Sequence, residues 1–239
     1  MSVFAQLWPG GPAFAQAPHF RLSTDSILLA DFVPASRVRR GIDLGCGAGL
    51  LSVLLLARTE ALHMSGLELD PDAADLAREN LACNDFAARG EIHVGDIRCC
   101  RTLFPAGSFD LVVANPPYYP AGCGKASPQP ARAAARTEST CSLEQLCAAA
   151  AWLLAGGGRF CLVHKPERLP QLLGALHTQG LEPKRLRLVC HSPSQAPALV
   201  LVEGRRNGRP GLQLEPVLFL RDAEDRESPE YRRIYHRDP

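Results

Sequence analysis

The stretch RGIDLGCGAGLLSVLLLAR, residues 40–58, runs from a short apolar strand through a glycine-rich turn into an apolar helix. Glycines at 45, 47 and 49 let the backbone turn tightly and approach a ligand at the carboxyl end of a strand, beside a helix amino terminus. Leu50 stands where a dinucleotide fingerprint needs its third glycine, which disfavours a nicotinamide cofactor. Outward from this turn, short apolar strands alternate with longer helical segments. Strands are expected at 41–44, 63–69, 91–94, 109–114, 159–164, 184–190 and 198–203, and helices at 49–58, 72–84, 142–154 and 167–178. Gly156, Gly157 and Gly158 read as the breaker that stops the 142–154 helix. The last two strands are joined by 191–197 alone, too short for a parallel crossover, so they should pair antiparallel. The expected fold is α/β: a Rossmann-like, seven-stranded, mostly parallel sheet with one antiparallel strand and helices on both faces.

With 239 residues the chain reads as one domain spanning 23–204, preceded by an extension at 1–22 and followed by a charged tail at 205–239 that packs on it. Lysine and arginine number 26 against 25 acidic residues, a net charge of +1, so no global field attracts a polyanion and any nucleic-acid contact must be local. The apolar runs at 50–57 and 148–155 fall short of the ~20 residues that cross a bilayer. Pro9, Gly10, Gly11 and Pro12 interrupt the start before a leader could form, so export is not expected. Nine cysteines include no C-x-x-C pair, so they read as small core residues of a reducing cytoplasm, and no metal is expected.

Three further constellations fall at strand ends. Glu68 lies 19 residues after Gly49, where an acid can accept from both hydroxyls of a ribose; alternatively it is solvated and Asp70 merely caps the next helix. Asp96, after Gly95, can accept from an exocyclic amino group or serve as a loop cap. Asn115-Pro116-Pro117-Tyr118 is the sharpest. Its prolines stiffen the backbone and donate no hydrogen bond, so the carbonyls of Asn115 and Pro116 and the Asn115 side-chain oxygen can form an acceptor site for an amide-like NH₂. Tyr118 adds a flat face.

With these residues the chain resembles the class I S-adenosylmethionine-dependent methyltransferases of amino groups. More narrowly, it resembles the bacterial valine-tRNA adenine N6-methyltransferases, which modify the adenine 3′ of the anticodon, position 37. The likeness is carried by 24–30 (TDSILLA), the 43–49 turn, 115–119 (NPPYY), the 125–137 segment, and 163–168, 181–184 and 201–204. It implies that Asp43, Gly45, Cys46, Gly47 and Gly49 border the methionine part of S-adenosylmethionine. Glu68 and Leu69 then hold the ribose side, Asp96 and Ile97 meet the adenine, and Thr24 and Asp25 begin a helix closing over the cofactor. Asn115, Pro116 and Tyr118 carry the reaction, with Asn115 also touching the cofactor. Pro117, Tyr118, Tyr119, Lys125, Arg132 and Arg136 face the tRNA, and Arg205, Arg206 and Arg209 form a second candidate RNA cluster. A release-factor glutamine N5-methyltransferase and a non-catalytic cofactor- and RNA-binding module are the alternatives.

Overall fold

A computed structural model describes residues 3–16, 22–34, 38–117 and 141–237. The element order is β1 (Phe4–Gln6), β2 (Ala13–Ala15), α1 (Thr24–Phe32), β3 (Arg40–Leu44), α2 (Leu50–Arg58), β4 (His63–Glu68), α3 (Pro71–Ala82) and β5 (Gly90–Val94). A 3₁₀ turn over Ile97–Cys99 leads into α4 (Cys100–Leu103), followed by β6 (Phe109–Ala114), α5 (Leu143–Leu153), β7 (Leu154–His164) and α6 (Leu169–Thr178). The chain closes with β8 (Leu181–Cys190), β9 (Pro197–Arg206), β10 (Gln213–Leu214), β11 (Leu218–Phe219) and α7 (Pro229–Ile234).

The main sheet runs β10-β8-β9-β7-β6-β3-β4-β5, with β11 also on β8. Only β9 is reversed among these described strands; it pairs antiparallel with both β7 and β8, as its short connection requires. Alternation along the strands divides the core into two layers. Leu111 and Val113 of β6 join Leu28 and Leu29 of α1, Val53 and Leu56 of α2, and Ala77 and Leu81 of α3 on one face. Val112 and Ala114 join Leu146 and Ala150 of α5 and Leu172 and Leu176 of α6 on the other.

The structure corrects the reading of the glycine triplet. Helix α5 ends at Leu153, where the Leu154 N–H caps it onto Ala150, and β7 starts at once, so Gly156–Gly158 lie inside a strand. Gly157 has φ +81°, and the β6–β7 register shifts between Phe109 and Leu111. The glycines therefore serve an irregular strand start rather than a helix stop. Strand β8 begins three residues earlier than expected, because the donor-less Pro183 is taken up at a register shift.

The β1–β2 hairpin is tied to α3 by two asparagines. Asn80, fully buried, accepts from the Ala15 N–H at 2.7 Å and donates to the carbonyls of Ala15 (3.1 Å) and Ala48 (3.0 Å). Asn84 accepts from the Ala13 N–H and donates to its carbonyl, both at 2.7 Å. Replacing Asn80 by alanine strands three buried backbone groups, so Asn80→Ala is expected to lower the unfolding free energy by about 2–4 kcal/mol in urea titrations. A loss under about 0.5 kcal/mol would show that the hairpin is held by apolar contact alone.

Candidate active site

The parallel strands end along one edge, and the candidate residues gather there because neighbouring strands lie about 4.8 Å apart in register. Asp43 of β3 sits opposite Gly66 of β4 and Val113 of β6, and Glu68 pairs with Val94 of β5. From β3 the chain winds outward through β4 and β5, then returns to place β6 on the other side of β3. That reversal makes a topological switch point at the strand ends, between the glycine turn and Asn115, the place where open α/β sheets take their ligands.

Gly45, Gly47 and Gly49 all have positive φ, at +72°, +53° and +82°. This folds the turn back so that the N–H groups of Gly45 and Cys46 both reach the Leu67 carbonyl, while the Gly47 N–H donates to Glu68 Oε2 at 2.7 Å. Glu68 Oε1 accepts from the Asp70 N–H at 2.9 Å, so each oxygen keeps a lone pair beyond its one backbone bond. Asp70 caps α3 through the N–H groups of Asp72 and Ala73, which gives the capping role to Asp70 and leaves Glu68 on the turn.

Beneath the turn Asp43 is 1% exposed, and neither carboxylate oxygen has a hydrogen-bond partner among the described residues. Burial, with the Glu68 carboxylate adding to it and the Ser52 hydroxyl opposing, pushes its pKa to about 8. Burial and the same two carboxylates push the Cys46 thiol well up, so it stays protonated. Gly66, which the sequence reading passed over, belongs to this packing: a Cβ there would stand 2.6 Å from Ile92 Cδ1 and 2.8 Å from Cys46 Sγ. A glycine inside a strand was the available signal.

Leu69 and Val94 are 48% and 45% exposed at the ends of β4 and β5, an apolar pair at the same edge. Asp96 serves as the cap of the 3₁₀ turn, accepting from the Arg98 N–H at 2.8 Å and from its guanidinium, which holds the carboxyl below its usual range. Ile97 begins that turn, half-buried against the second core layer. Asn115 follows β6 directly and donates from Nδ2 to Ser26 Oγ in the first turn of α1 at 2.9 Å. Thr24 and Asp25 precede Ser26 on that helix. Pro116 and Pro117 are half-buried. Tyr118, Tyr119, Lys125, Arg132 and Arg136 lie outside the described residues.

His164, not singled out by its sequence, ends β7 at this edge, two residues past the partner of Ala114. Burial, reinforced by Arg168, lowers its pKa to about 4 and keeps it neutral. Arg205 and Arg206 stand elsewhere. Because β9 is reversed, they pair near the start of β7 and of β8, at the opposite edge of the sheet. There they donate to the carbonyls of Gly157 and Gln179. Among the described residues no group of three or more His, Cys, Asp or Glu could hold a metal ion, and no helix is long and apolar enough to cross a membrane.

The buried Asp43 makes stability pH-dependent. The folded chain holds its proton up to about pH 8, whereas an unperturbed aspartate releases it near 3.8. Between those values the folded state binds the extra proton, so its contribution to the unfolding free energy falls as pH rises, with no further loss above about 8. The melting temperature of the ligand-free protein is expected to decline across this window more steeply than that of Asp43→Asn. Parallel pH profiles for the two proteins would refute the assignment.

A family model described as "Methyltransferase small domain" matches residues 18–177. A tRNA1(Val) (adenine(37)-N6)-methyltransferase of Cronobacter sakazakii is 35% identical over 217 residues, covering 88% of this chain and 84% of that protein. One of the same name from Porphyromonas gingivalis is 33% identical over 223 residues, covering 90% and 86%. Among solved structures, a protein of Agrobacterium tumefaciens described as a predicted O-methyltransferase superposes with a TM-score of 0.74 at 22% identity, covering 89% of this chain and 96% of that one. A geranyl diphosphate methyltransferase in complex with GPP and sinefungin gives 0.55 at 15% identity, covering 76% and 77%. These two structural likenesses establish the class I methyltransferase fold. The chain belongs to the methyltransferase small domain family and, within it, to the tRNA1(Val) (adenine(37)-N6)-methyltransferases.

Proposed function

We propose that this methyltransferase transfers a methyl group from S-adenosylmethionine to the exocyclic N6 of an adenine in RNA, the adenine at position 37 of valine tRNA. The observation that carries the reading is Asn115-Pro116-Pro117 held at the switch point beside the glycine turn, its amide bonded to Ser26. When bound, S-adenosylmethionine supplies a methyl group on a positively charged sulfur, an electrophile that needs no further activation.

Asp43 supports this cofactor directly, since a buried carboxylate whose oxygens have no partner among the described residues fits an ammonium group. Gly45, Gly47 and Gly49 bring the backbone close to it, and the spare lone pairs of Glu68 suit two ribose hydroxyls. Leu69, Val94 and Ile97 offer apolar contact to a flat ring. Asp96 would receive an amino group only by sharing oxygens that Arg98 already engages. Cys46 remains a thiol, so it does not compete for the methyl group as a thiolate would.

Asn115 Oδ1 and the Pro116 carbonyl are assigned the two hydrogens of the target amine. Accepting both draws the nitrogen lone pair out of the ring and toward the incoming carbon. Catalysis is then positioning and electrostatics, with no base needed before attack, because the proton leaves a product that has become acidic. The adenine must leave its stack, at a few kcal/mol in a duplex and less in a loop. Tyr118 is assigned the stacking that returns about 1–3 kcal/mol. Lys125, Arg132 and Arg136, with Pro117 and Tyr119, are assigned to the RNA side. A tRNA substrate places the enzyme in the cytoplasm.

Nucleoside analysis of bulk tRNA incubated with the protein and labelled S-adenosylmethionine is expected to yield N6-methyladenosine. Asn115→Ala should lower kcat by about 10²–10³ while the protein still binds the cofactor. Label entering release factor instead would favour the glutamine methyltransferase, and label entering neither would favour a binding module.

A further inference from the structure

We infer that Ser26 is a positioning residue for Asn115, its hydroxyl selecting which end of the amide is offered to the substrate amine. The inference rests on the amine-methylation reading above. Asn115 Nδ2 donates to Ser26 Oγ at 2.9 Å, joining the end of β6 to the first turn of α1. An asparagine amide is nearly symmetrical in shape and opposite in chemistry at its two ends. Half a turn about its bond exchanges an acceptor for two donors at little steric cost. An amine that presents two hydrogens needs acceptors; the NH₂ end would set donor against donor. Some fixed group must therefore hold the NH₂ end away from the substrate, and Ser26, 7% exposed, accepts from it.

A hydroxyl can accept or donate. Here it accepts from Nδ2, which turns Oδ1 away from α1; the flipped amide would need the hydroxyl to donate instead. Ser26 also stands on a helix that cannot easily yield. At nine residues α1 is too short to be stable alone, and its partners come from three other elements. Arg233 of α7 grips both Asp31 oxygens at 3.0 Å, and Arg58 of α2 donates to the Ala30 carbonyl. Arg185 of β8 donates to the Phe32 carbonyl and lies 4.3 Å over its ring.

Steady-state kinetics on tRNA test this. Ser26→Ala is expected to lower kcat roughly tenfold, the worth of one buried neutral hydrogen bond, while KM for tRNA and for S-adenosylmethionine stays within about twofold. Ser26→Thr, which keeps the hydroxyl, should restore kcat. In an Asn115→Asp background the residue offers an acceptor either way round, so adding Ser26→Ala should cost under about threefold. A loss under about threefold in the Asn115 enzyme overturns the inference, as does an equal loss in both backgrounds or a folded Ser26→Thr as impaired as Ser26→Ala. Should Ser26→Ala fail to fold, Ser26→Cys keeps the volume with a weaker acceptor; it is expected to lose at least about threefold, and an unimpaired cysteine variant overturns the inference. Unaltered protein that methylates no tRNA refutes the functional reading instead, a distinct result.

Discussion

Two carboxylates share the end of two adjacent strands, and one of them, Asp43, is buried with no hydrogen-bond partner among the described residues. Neither fact favours folding. Taking a carboxylate out of water without a partner is costly, and the neighbouring Glu68 charge adds to the cost, which is why Asp43 holds its proton up to about pH 8. The nearest backbone could have relieved it, yet the glycine turn spends its donors elsewhere. Gly45 and Cys46 both point at the Leu67 carbonyl, and Gly47 points at Glu68. A cationic ligand relieves what the protein leaves unrelieved, and S-adenosylmethionine carries two positive groups, a sulfonium and an ammonium. On the cofactor reading proposed above, instability in the free protein is converted into affinity, since a ligand that binds only the folded state stabilises it by mass action.

The rest of the architecture holds the strand ends beside that turn in register. Helix α1 bridges to Asn115 on one side and is gripped on the other by residues from α2, β8 and the carboxyl-terminal segment. The two ends of the described chain meet where the Trp8 ring stacks on His236 at 3.9 Å. Asn80 connects the hairpin to the loop of the glycine turn, donating to both Ala15 and Ala48. Segments remote in sequence therefore act on the same short helix and the same turn. The switch point is positioned by contacts that no local stretch contains.

This is also why legibility was uneven. The glycine turn, the strand-end acids and Asn115-Pro-Pro were readable because each is a local solution to a local demand: positive φ, a cap, a stiff acceptor. Alternation and loop length were enough for the seven central strands and the one reversed among them, but not for β10 and β11, of two residues each. The hairpin at residues 4–15 was not readable, since β1 and β2 have three residues each and are fixed by Asn80 and Asn84, about 70 positions away. The Gly156–Gly158 triplet was misread because a helix stop and an irregular strand start ask the same freedom of glycine. Asp96 had two readings, and the pairing with Arg98 two residues on favours the cap. Ser26 lay inside a quoted motif, but its role depends on an amide 89 residues away.

The arrangement of arginines bears on how a nearly neutral protein engages a polyanion. Many of the described arginines are committed internally. Arg185 bonds Glu203 and Glu215, Arg187 bonds Glu230 and the Pro216 carbonyl, and Arg89 gathers carbonyls at the end of α2. Arg205 and Arg206 close strand ends at the edge away from the switch point. A guanidinium spent on a carboxylate adds little net field, which agrees with a charge of +1 over the whole chain. Broad electrostatic attraction, the term that dominates sequence-independent nucleic-acid binding, is therefore weak here. On the reading proposed above, discrimination falls to the site beside Asn115, which is assigned the exocyclic nitrogen and flat face of an extruded base. Such a site, built on two carbonyl oxygens, would reject a base lacking that amine because its acceptors would be left unpaired.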